Sequence, residues 1–255
     1  MNDSSTEEIL TRGDGTAIAY HRMTGKAPGI IFCGGFMSDM SGTKATALEA
    51  HCAEAGRAFV RFDYRGHGRS SGRFEDGTIG LWADDAIAVL DQVTSGPQVL
   101  VGSSMGGWIM LLAAKARPER VAGLVGIAPA PDFVLSMWEE FPDEVKRQLE
   151  TEGVYRSPSE YSEEPYAITM ALIEDGRRHL VLTETVPIEC PVRLLHGMRD
   201  PDVPWQLSLE IARKLASTDV EITFVKDGDH RLSEPADIAR LCRTVETLAA
   251  ALEAS

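Results

Sequence analysis

A serine between glycines stands where an apolar segment gives way to a helix-forming one, in Gly102-Ser103-Ser104-Met105-Gly106. The apolar residues 97–101 predict a strand, and residues 107–114 predict a helix. The glycines allow the strand and the helix to approach closely, so the turn between them exposes the hydroxyl of its central serine. This pattern favours Ser104 as a nucleophile, although small residues at such a turn also serve ordinary packing.

Two later loops carry the acid and the base that a nucleophilic serine needs. Asp200 and Asp202 follow the strand-like residues 191–195, and His230 follows the strand-like residues 220–225. The carboxyl ends of parallel strands share one edge of a sheet, so these loops should converge on the serine. The chain order serine, acid, histidine is a known order for such a triad. We predict that His230 takes the hydroxyl proton while an aspartate orients its ring.

Two aspartates compete for the role of the acid. Asp200 stands three residues after Gly197 and precedes Val203-Pro204, which is the usual acid position in the pattern H-G-x-x-D-x-x-V-P. Asp202 is better interpreted as the N-cap of a helix that begins at Pro204 and Trp205. Asp229 adjoins the histidine in sequence and is too close to face its ring. We therefore predict Asp200 as the acid.

Acyl transfer through a serine also needs N–H groups that stabilise a negatively charged oxygen. The amide of Met105 follows the nucleophile and opens a helix, whose positive end favours negative charge. The second amide should come from the loop Gly34-Gly35-Phe36-Met37, which follows a strand ending at Cys33. The glycines allow this loop to turn its amides towards the site, and by position Phe36 supplies the donor. The alternative is a plain glycine turn.

The other histidines and the cysteines show no pattern of a metal or redox site. The 4 cysteines are dispersed without a C-x-x-C pair, and the 6 histidines lack the H-E-x-x-H spacing. We therefore expect buried reduced thiols, no metal and no cofactor. His67 lies in residues 62–70, which precede the nucleophile and wrap the end of a strand. We interpret that segment as a structural turn.

The elements that must position these residues alternate along the chain. Residues 6–22 alternate around Gly13-Asp14-Gly15 and predict an antiparallel hairpin. Further predicted strands are residues 29–33, 58–62, 97–101 and 121–127, and predicted helices are residues 42–56, 79–94 and 235–250. Strands that alternate with helices predict an α/β fold with a mainly parallel, doubly wound sheet covered on both faces.

Residues 130–189 interrupt this alternation with prolines, acidic residues and two helical patterns, and they contain no convincing strand. Phe141, Val145 and Leu149 form one stripe at helical spacing, and Tyr166, Met170 and Ile173 form another. An insertion at this point would lie over the elbow as a cap on a single domain spanning residues 1–255. The stripes should pack on the sheet and leave side chains to line a pocket, with Met137, Trp138, Tyr166 and Met170 as candidates.

Composition limits the classes of partner. The 255 residues carry a net charge of −14, which repels phosphate backbones and anionic lipid surfaces. No segment has the apolar length of a membrane span, and residues 1–8 lack the basic and apolar parts of a signal peptide. We expect a cytoplasmic protein that binds neither nucleic acid nor membrane and acts on a small molecule.

Together these residues resemble the α/β-hydrolase superfamily throughout the chain. The closer likeness is to the family of the mitochondrial serine hydrolase of animals known as acyl-glucuronide esterase and palmitoyl-protein thioesterase, the tenth α/β-hydrolase domain protein. The matching stretches are Gly42-Thr43-Lys44-Ala45, Arg61-Phe62-Asp63-Tyr64, residues 96–108, Tyr161-Ser162-Glu163-Glu164, residues 193–198 with Asp200 and Val203-Pro204-Trp205, Ser217-Thr218-Asp219-Val220, and Asp229-His230-Arg231. The resemblance covers roughly residues 30–250, and Cys33-Gly34 departs from it where the family tends to have a proline before its glycine.

The resemblance implies Ser104, Asp200 and His230 as the triad and an ester or thioester as the substrate. A serine at the elbow argues against haloalkane dehalogenase and epoxide hydrolase chemistry, which in this superfamily use aspartate there. We therefore expect a serine hydrolase of carboxylic esters or acyl thioesters that works through an acyl-enzyme. The alternative is a catalytically weak, ligand-sensing protein on the same scaffold.

Overall fold

The computed structural model describes residues 7–157 and 165–254. Its strands are β1 (Glu8–Thr11), β2 (Ala17–Met23), β3 (Lys26–Cys33), β4 (Arg57–Phe62), β5 (Gln98–Ser103), β6 (Val121–Ile127), β7 (Val154–Ser157), β8 (Tyr166–Thr169), β9 (Val192–Gly197) and β10 (Val220–Val225). Its helices are α1 (Thr43–Ala55), α2 (Ile79–Val93), α3 (Met105–Ala116), α4 (Val134–Glu140), α5 (Asp143–Glu152), α6 (Met170–Arg178), α7 (Gln206–Lys214) and α8 (Pro235–Glu253). Short 3-10 helices cover Phe74–Asp76 and Pro118–Arg120.

The main sheet has the strand order β1-β2-β4-β3-β5-β6-β9-β10. β2 pairs antiparallel with β1 and β4, and the remaining pairs are parallel. The predicted α/β-hydrolase architecture is confirmed, including the antiparallel N-terminal pair. The carboxyl ends of β3, β5, β9 and β10 therefore meet at one edge of the sheet, where the candidate residues lie.

Apolar residues cover both faces of this sheet. On one face the helices α2 and α3 bury Trp82 and Trp108 completely. On the other face Leu48 of α1 and Val245 of α8 belong to one buried apolar cluster with Ile30 of β3. Because the central strands are covered on both sides, their sequences are almost continuously apolar rather than alternating. Each fully buried side chain of this size contributes about 1.5–3 kcal/mol, which makes this core a stable base for the loops at the sheet edge.

A buried arginine ties the last helix to the sheet. Arg57 begins β4 and is 1% exposed. Its guanidinium lies 3.1 Å from Glu246 and 2.7 Å from Glu253, both on α8. It also donates to the carbonyl oxygen of Pro28 at 3.1 Å. Such a buried cation is tolerated only when its partners are present, so α8 is a required part of the fold.

Residues 130–189 differ in part from the sequence prediction. The described part of this segment forms three helices, α4, α5 and α6, but β7 and β8 form an antiparallel hairpin in which Tyr155 pairs with Ile168. Tyr166 therefore begins a strand and does not share a helix with Met170 and Ile173. Each strand is four residues long, too short for a period of two to stand out in the sequence. The matching stretch at residues 161–164 lies outside the described residues.

Phe141 also departs from its predicted stripe. It follows α4 in an extended conformation, whereas Val145 and Leu149 lie on α5. Pro142 explains why the helix ends before Phe141, because a proline disfavours helical geometry at the residue that precedes it.

Asp132 joins the beginning of this insertion to its end. Its carboxylate accepts hydrogen bonds from the amides of Val181 and Leu182, both at 2.9 Å. Asp132 is 9% exposed and has a φ of 59°, in the left-handed region that aspartate tolerates better than most residues. Burial raises the pKa of this carboxyl group, although the two amides oppose the increase. We call this arrangement the Asp132 clasp.

None of the helices within residues 7–157 and 165–254 combines the length and the apolar character needed to cross a membrane.

Candidate active site

Ser104 occupies a strained turn between β5 and α3. Its φ of 53° and ψ of −118° form a conformation that costs a residue with a side chain roughly 1–3 kcal/mol. The Ser104 amide donates to the carbonyl oxygen of Ile127 at 2.9 Å. The amides of Gly107 and Ala130 donate to the Ser104 carbonyl oxygen at 2.8 and 3.0 Å. The end of β6 and the residues after it therefore hold the turn in place.

Glycine is required on both sides of this serine because the backbone segments almost touch. A Cβ on Gly102 would lie 2.3 Å from the carbonyl oxygen of Gly106. A Cβ on Gly106 would lie 2.1 Å from the carbonyl oxygen of Cys33. Both distances are far shorter than a van der Waals contact. The strand and the helix therefore approach as closely as the sequence predicted.

The structure brings Ser104, His230 and Asp200 into one hydrogen-bonded chain. The Nε2 atom of His230 lies 3.0 Å from the Ser104 hydroxyl oxygen, and its Nδ1 atom lies 2.8 Å from Oδ2 of Asp200. The Asp200 side chain is fully buried, whereas 16% of the His230 side chain is exposed. With a proton on Nδ1, as the neighbouring carboxylate requires, Nε2 has a free lone pair that faces the serine proton.

Asp200 is held as a carboxylate by the groups around it. The amides of Asp202 and Val203 donate to Oδ1 at 2.9 and 2.8 Å. The Nε2 atom of His196 lies 3.2 Å from Oδ2. Burial raises the pKa of Asp200, but the hydrogen bonds from His196, His230 and the Val203 amide outweigh this effect and lower the pKa well below its usual range. The acid therefore stays ionised beside His230.

Asp202 does not have the role that the sequence suggested. The N-cap of α7 is Trp205, which makes no side-chain cap hydrogen bond, and Asp202 is exposed on the preceding turn. The turn forms because the Asp200 carboxylate binds the amides that follow it, which is common for aspartate. The helix begins only after this turn, which puts Asp202 too far upstream to cap it. Asp229 accepts a hydrogen bond from the amide of Leu232 at 2.9 Å.

The loop after β3 passes directly beside the elbow. A Cβ on Gly35 would lie 3.4 Å from the carbonyl oxygen of Ser103 and 3.6 Å from Cβ of Ser104. Met37, two residues later, has a φ of 52°, so the chain turns sharply at this point. Phe36 lies between these two residues, and Met105 begins α3 on the other side of the serine.

The Phe36 ring is the centre of an aromatic cluster. Its centroid lies 4.8 Å from that of Phe74 and 5.9 Å from those of Trp82, Phe133 and Tyr166, all in edge-to-face geometry. Such pairs contribute about 0.5–1.5 kcal/mol each beyond burial. We call these five residues the Phe36 cluster. It connects the loop beside Ser104 to the insertion through Phe133 and Tyr166.

The other predicted pocket residues differ in their surroundings. Met137, Trp138 and Met170 are partly buried against the same core as the Phe36 cluster. The Trp138 ring is covered by the guanidinium of Arg177, 4.8 Å from its centroid, and Lys146 lies 6.0 Å away. One face of Trp138 is therefore occupied by a cation rather than turned to an acyl chain.

His67 is enclosed by aromatic rings and does not contact the triad. Its ring lies 5.1 Å from those of Phe74 and Trp82, and its Nδ1 atom lies 3.2 Å from the carbonyl oxygen of Arg65. Its Nε2 atom is buried without a hydrogen-bond partner among the described residues. Burial lowers the pKa of His67 to about 4. The ring is therefore neutral at physiological pH.

Two cavities lie at opposite edges of the sheet. One of about 190 Å³ adjoins the loop of Phe36, and its lining residues are Met37, Arg73, Phe74, Glu75, Arg156, Pro165 and Ala167. Another of about 360 Å³ lies at the opposite edge of the sheet, between Ala114, Val121 and Cys190. Only the first is close to the candidate site.

The sequence prediction missed His196 as part of this site. It is fully buried at the end of β9 and contacts Asp200 and Ser208. A pattern was present, because a histidine stands four residues before the acid, next to the last residue of the strand that precedes the acid loop. Among the described residues, one cluster of metal-ligating types occurs, formed by Asp200, Asp202 and His230 within 4.8 Å. Two of its atoms are already bonded to each other in the hydrogen-bonded chain.

Comparison with known proteins relates this chain to hydrolases. The family described as serine aminopeptidase, S33, matches residues 27–157. The mitochondrial palmitoyl-protein thioesterase ABHD10 of Bos taurus is 46% identical over 241 residues, covering 94% of this chain and 79% of the relative. The expected cytoplasmic location is contradicted, because this relative and its counterparts in other mammals are named as mitochondrial.

Two solved structures share the fold along almost the whole chain. Alpha/beta hydrolase domain-containing protein 10 from mouse is 45% identical with a TM-score of 0.90, covering 96% of this chain and 98% of the other. A putative hydrolase from Agrobacterium vitis S4 is 41% identical with a TM-score of 0.92, covering 96% and 99%.

Proposed function

The chain belongs to the α/β-hydrolase superfamily and is a serine esterase or thioesterase, and we propose that it acts through an acyl-enzyme formed on Ser104. The observation that carries this proposal is the chain of hydrogen bonds from Ser104 through His230 to Asp200, at 3.0 and 2.8 Å. These distances match those of a nucleophile, a general base and the acid that orients it.

The reaction then proceeds in two halves. His230 Nε2 takes the proton of Ser104 as the hydroxyl oxygen attacks the acyl carbon, and the carbonyl oxygen becomes negatively charged. The amides of Phe36 and Met105 would bind that oxygen, each contributing about 2.7–4 kcal/mol of transition-state stabilisation. The carbon–sulfur or carbon–oxygen bond breaks, and His230 returns the proton to the leaving group. In the second half, His230 takes a proton from water as the water oxygen attacks the acyl-enzyme. The bond to Ser104 breaks, His230 returns the proton to the serine oxygen, and the carboxylic acid product is released.

Residues 130–189 would act as the cap that covers the acyl group. The support for this part is the position of Tyr166 and Phe133 against Phe36, directly beside the nucleophile. Met137 and Met170 add flexible apolar side chains, which adapt to irregular acyl shapes. Trp138 would contribute the part of its ring that Arg177 leaves uncovered. The palmitoyl-protein thioesterases among the relatives are named for a long acyl chain, which agrees with an apolar pocket.

Labelling with a fluorophosphonate tests the nucleophile, because covalent capture requires an activated hydroxyl. We expect wild-type protein to be labelled and to hydrolyse a p-nitrophenyl ester. Ser104→Ala should abolish labelling and reduce hydrolysis to background. Ser103→Ala is the matched control, since this neighbouring serine is 8% exposed and lies outside the hydrogen-bonded chain. It should retain most of the activity.

Two results would contradict the proposal. Equal losses from both substitutions, with folding intact by circular dichroism, would mean that the wrong hydroxyl has been assigned. A folded wild-type protein that binds acyl compounds without labelling or turnover would be the ligand-sensing protein considered as the alternative.

A further inference from the structure

We propose that His196, held by Ser208, is a positioning residue that keeps Asp200 in register with His230. This inference rests on the proposed triad and adds two side chains to it. His196 precedes the acid by four residues and is fully buried at the end of β9. Its side-chain hydrogen bonds are to Asp200, Val203 and Ser208 rather than to Ser104, so its effect must pass through Asp200.

The contacts of His196 Nε2 define where its proton lies. This atom is 3.2 Å from Oδ2 of Asp200 and 3.0 Å from the carbonyl oxygen of Val203. Both neighbours are acceptors, so we assign a hydrogen to Nε2 from its partners. That hydrogen is shared between the carboxylate and the backbone of the loop that carries it. His196 thereby fixes the acid and the loop with one group.

Ser208 determines the orientation of the histidine ring. It lies on α7, is fully buried, and its Oγ atom is 2.8 Å from Nδ1 of His196. With Nε2 as the donor, a neutral ring needs a donor at Nδ1, and the serine hydroxyl supplies one. The result is a continuous series from α7 to the nucleophile: Ser208, His196, Asp200, His230 and Ser104.

His196 completes the coordination of the acid. The Asp200 carboxylate has four donors, two on each oxygen, and His196 and His230 share Oδ2. Without His196, Oδ2 would face His230 alone. The carboxylate would lose one of the bonds that fix its plane, and more of its negative charge would act on the His230 ring. The added negative charge stabilises the protonated form of the ring.

Other charged groups also lie near this point, including Asp229 and Arg231, which flank His230 in the chain. The titratable side chains bonded to Asp200 are His196 and His230, and the Asp202 carboxylate lies within 4.8 Å of the Asp200 and His230 ligand atoms. On the far side of the His230 loop, the Lys44 ammonium donates to the carbonyl oxygen of Arg231 at 2.5 Å. Substitution of His196 leaves all these groups in place, so a change in the pH profile reports the lost contact.

The experiment compares His196→Leu with His196→Gln in the full chain. Leucine has no donor, whereas the glutamine amide can still donate to Asp200. We expect His196→Leu to lower kcat on a p-nitrophenyl ester about 10- to 100-fold with less than a twofold change in KM, the loss typical of a missing outer partner. The acid limb of kcat/KM should move to higher pH, and His196→Gln should restore part of both effects.

A second pair of variants decides the question if His196→Leu does not fold. Ser208→Ala removes the hydroxyl that holds the ring and should produce the same changes to a smaller extent. Ser217→Ala is its control, because Ser217 is also a buried serine but accepts its hydrogen bond from Asp219. Ser217→Ala should leave the pH profile unchanged.

Two outcomes separate this inference from the proposed function. If the wild-type protein is active and folded His196→Leu keeps a normal kcat and an unshifted acid limb, only the role of His196 is overturned. The same conclusion follows if Ser208→Ala and Ser217→Ala behave alike. Wild-type protein that is neither labelled nor active would instead overturn the triad.

Discussion

His67 is a buried histidine whose charged form the fold disfavours. Burial lowers its pKa from 6.5 to about 4. Between these pH values the unfolded chain binds a proton at this position that the folded chain does not. The free energy of unfolding therefore falls as pH decreases through this window, by at most about 3 kcal/mol once the pH reaches the folded pKa.

We expect His67→Gln to remove this part of the pH dependence, because glutamine does not titrate. Urea unfolding at pH 7 and at pH 4.5 gives the loss of stability on acidification for each protein. That loss should be smaller in the variant by up to about 2–3 kcal/mol, whatever the stability of the variant at pH 7. An identical loss in both proteins would show that His67 is protonated as readily in the fold as outside it.

Among individual residues, the sequence predicted those whose neighbours in the chain form a recognisable pattern. Ser104 lies in a glycine-flanked turn, and Asp200 and His230 each follow a strand whose end must reach the same edge. His196 was missed because its contacts with Asp200 and Ser208 exist only after a turn and a helix have folded back on β9. Asp202 was misinterpreted because the preceding carboxylate takes the amides of the turn, which delays the start of α7.

Among the elements, the insertion between β6 and β9 depends on the Asp132 clasp. Asp132→Asn should weaken it, because the amide retains one acceptor oxygen and asparagine tolerates the same positive φ. Loss of charge and of one acceptor should destabilise the protein by about 1–3 kcal/mol. Hydrogen exchange at the amides of Val181 and Leu182 should become faster, and mass spectrometry of the corresponding peptides would measure it.

Asp143→Asn provides the control for this prediction. Asp143 is an exposed acid at the beginning of α5, within the same insertion. Its substitution should leave exchange at residues 181–182 unchanged. Equal exchange in Asp132→Asn and wild-type protein would mean that the two ends of the insertion are held by packing alone.

The elements of the sheet were more predictable than those of the insertion. The predicted β6 at residues 121–127 and β10 at residues 220–225 match the structure, because β6 is an apolar run and β10 alternates apolar with polar residues. The hairpin of β7 and β8 was not predicted, because such short strands gain their stability from each other and from the Phe36 cluster. Phe36 itself was selected for its amide, and nothing local indicated that its ring would connect four other aromatic side chains.

For the whole molecule, the apolar surroundings of the sheet edge predict the range of acyl groups. We expect kcat/KM to rise beyond acetyl, by at most about fourfold for each methylene buried. The profile should be broad, because apolar pockets discriminate poorly between neighbouring chain lengths. A series of p-nitrophenyl esters and acyl thioesters from two carbons upward measures it. A steep decline beyond acetyl would indicate a small or polar acyl group instead.

The compartment was the property of the whole molecule that the sequence predicted wrongly. Composition and net charge determine how a surface interacts with water, phosphate and lipid. They do not determine the compartment in which a protein acts, and the relatives are named as mitochondrial.

The contact of Arg57 with Glu246 and Glu253 also sets an order of events during synthesis. Arg57 leaves the ribosome long before its two partners, which follow after roughly ten seconds or more of further translation. Until then β4 carries a cation that cannot be enclosed without a large desolvation penalty. The nascent chain therefore cannot cover the α8 face of its sheet early. Until α8 is made, the apolar strands on that face stay exposed and accessible to a chaperone. His230 is synthesised in the same late interval, so the proposed base and the partners of Arg57 on α8 become available together.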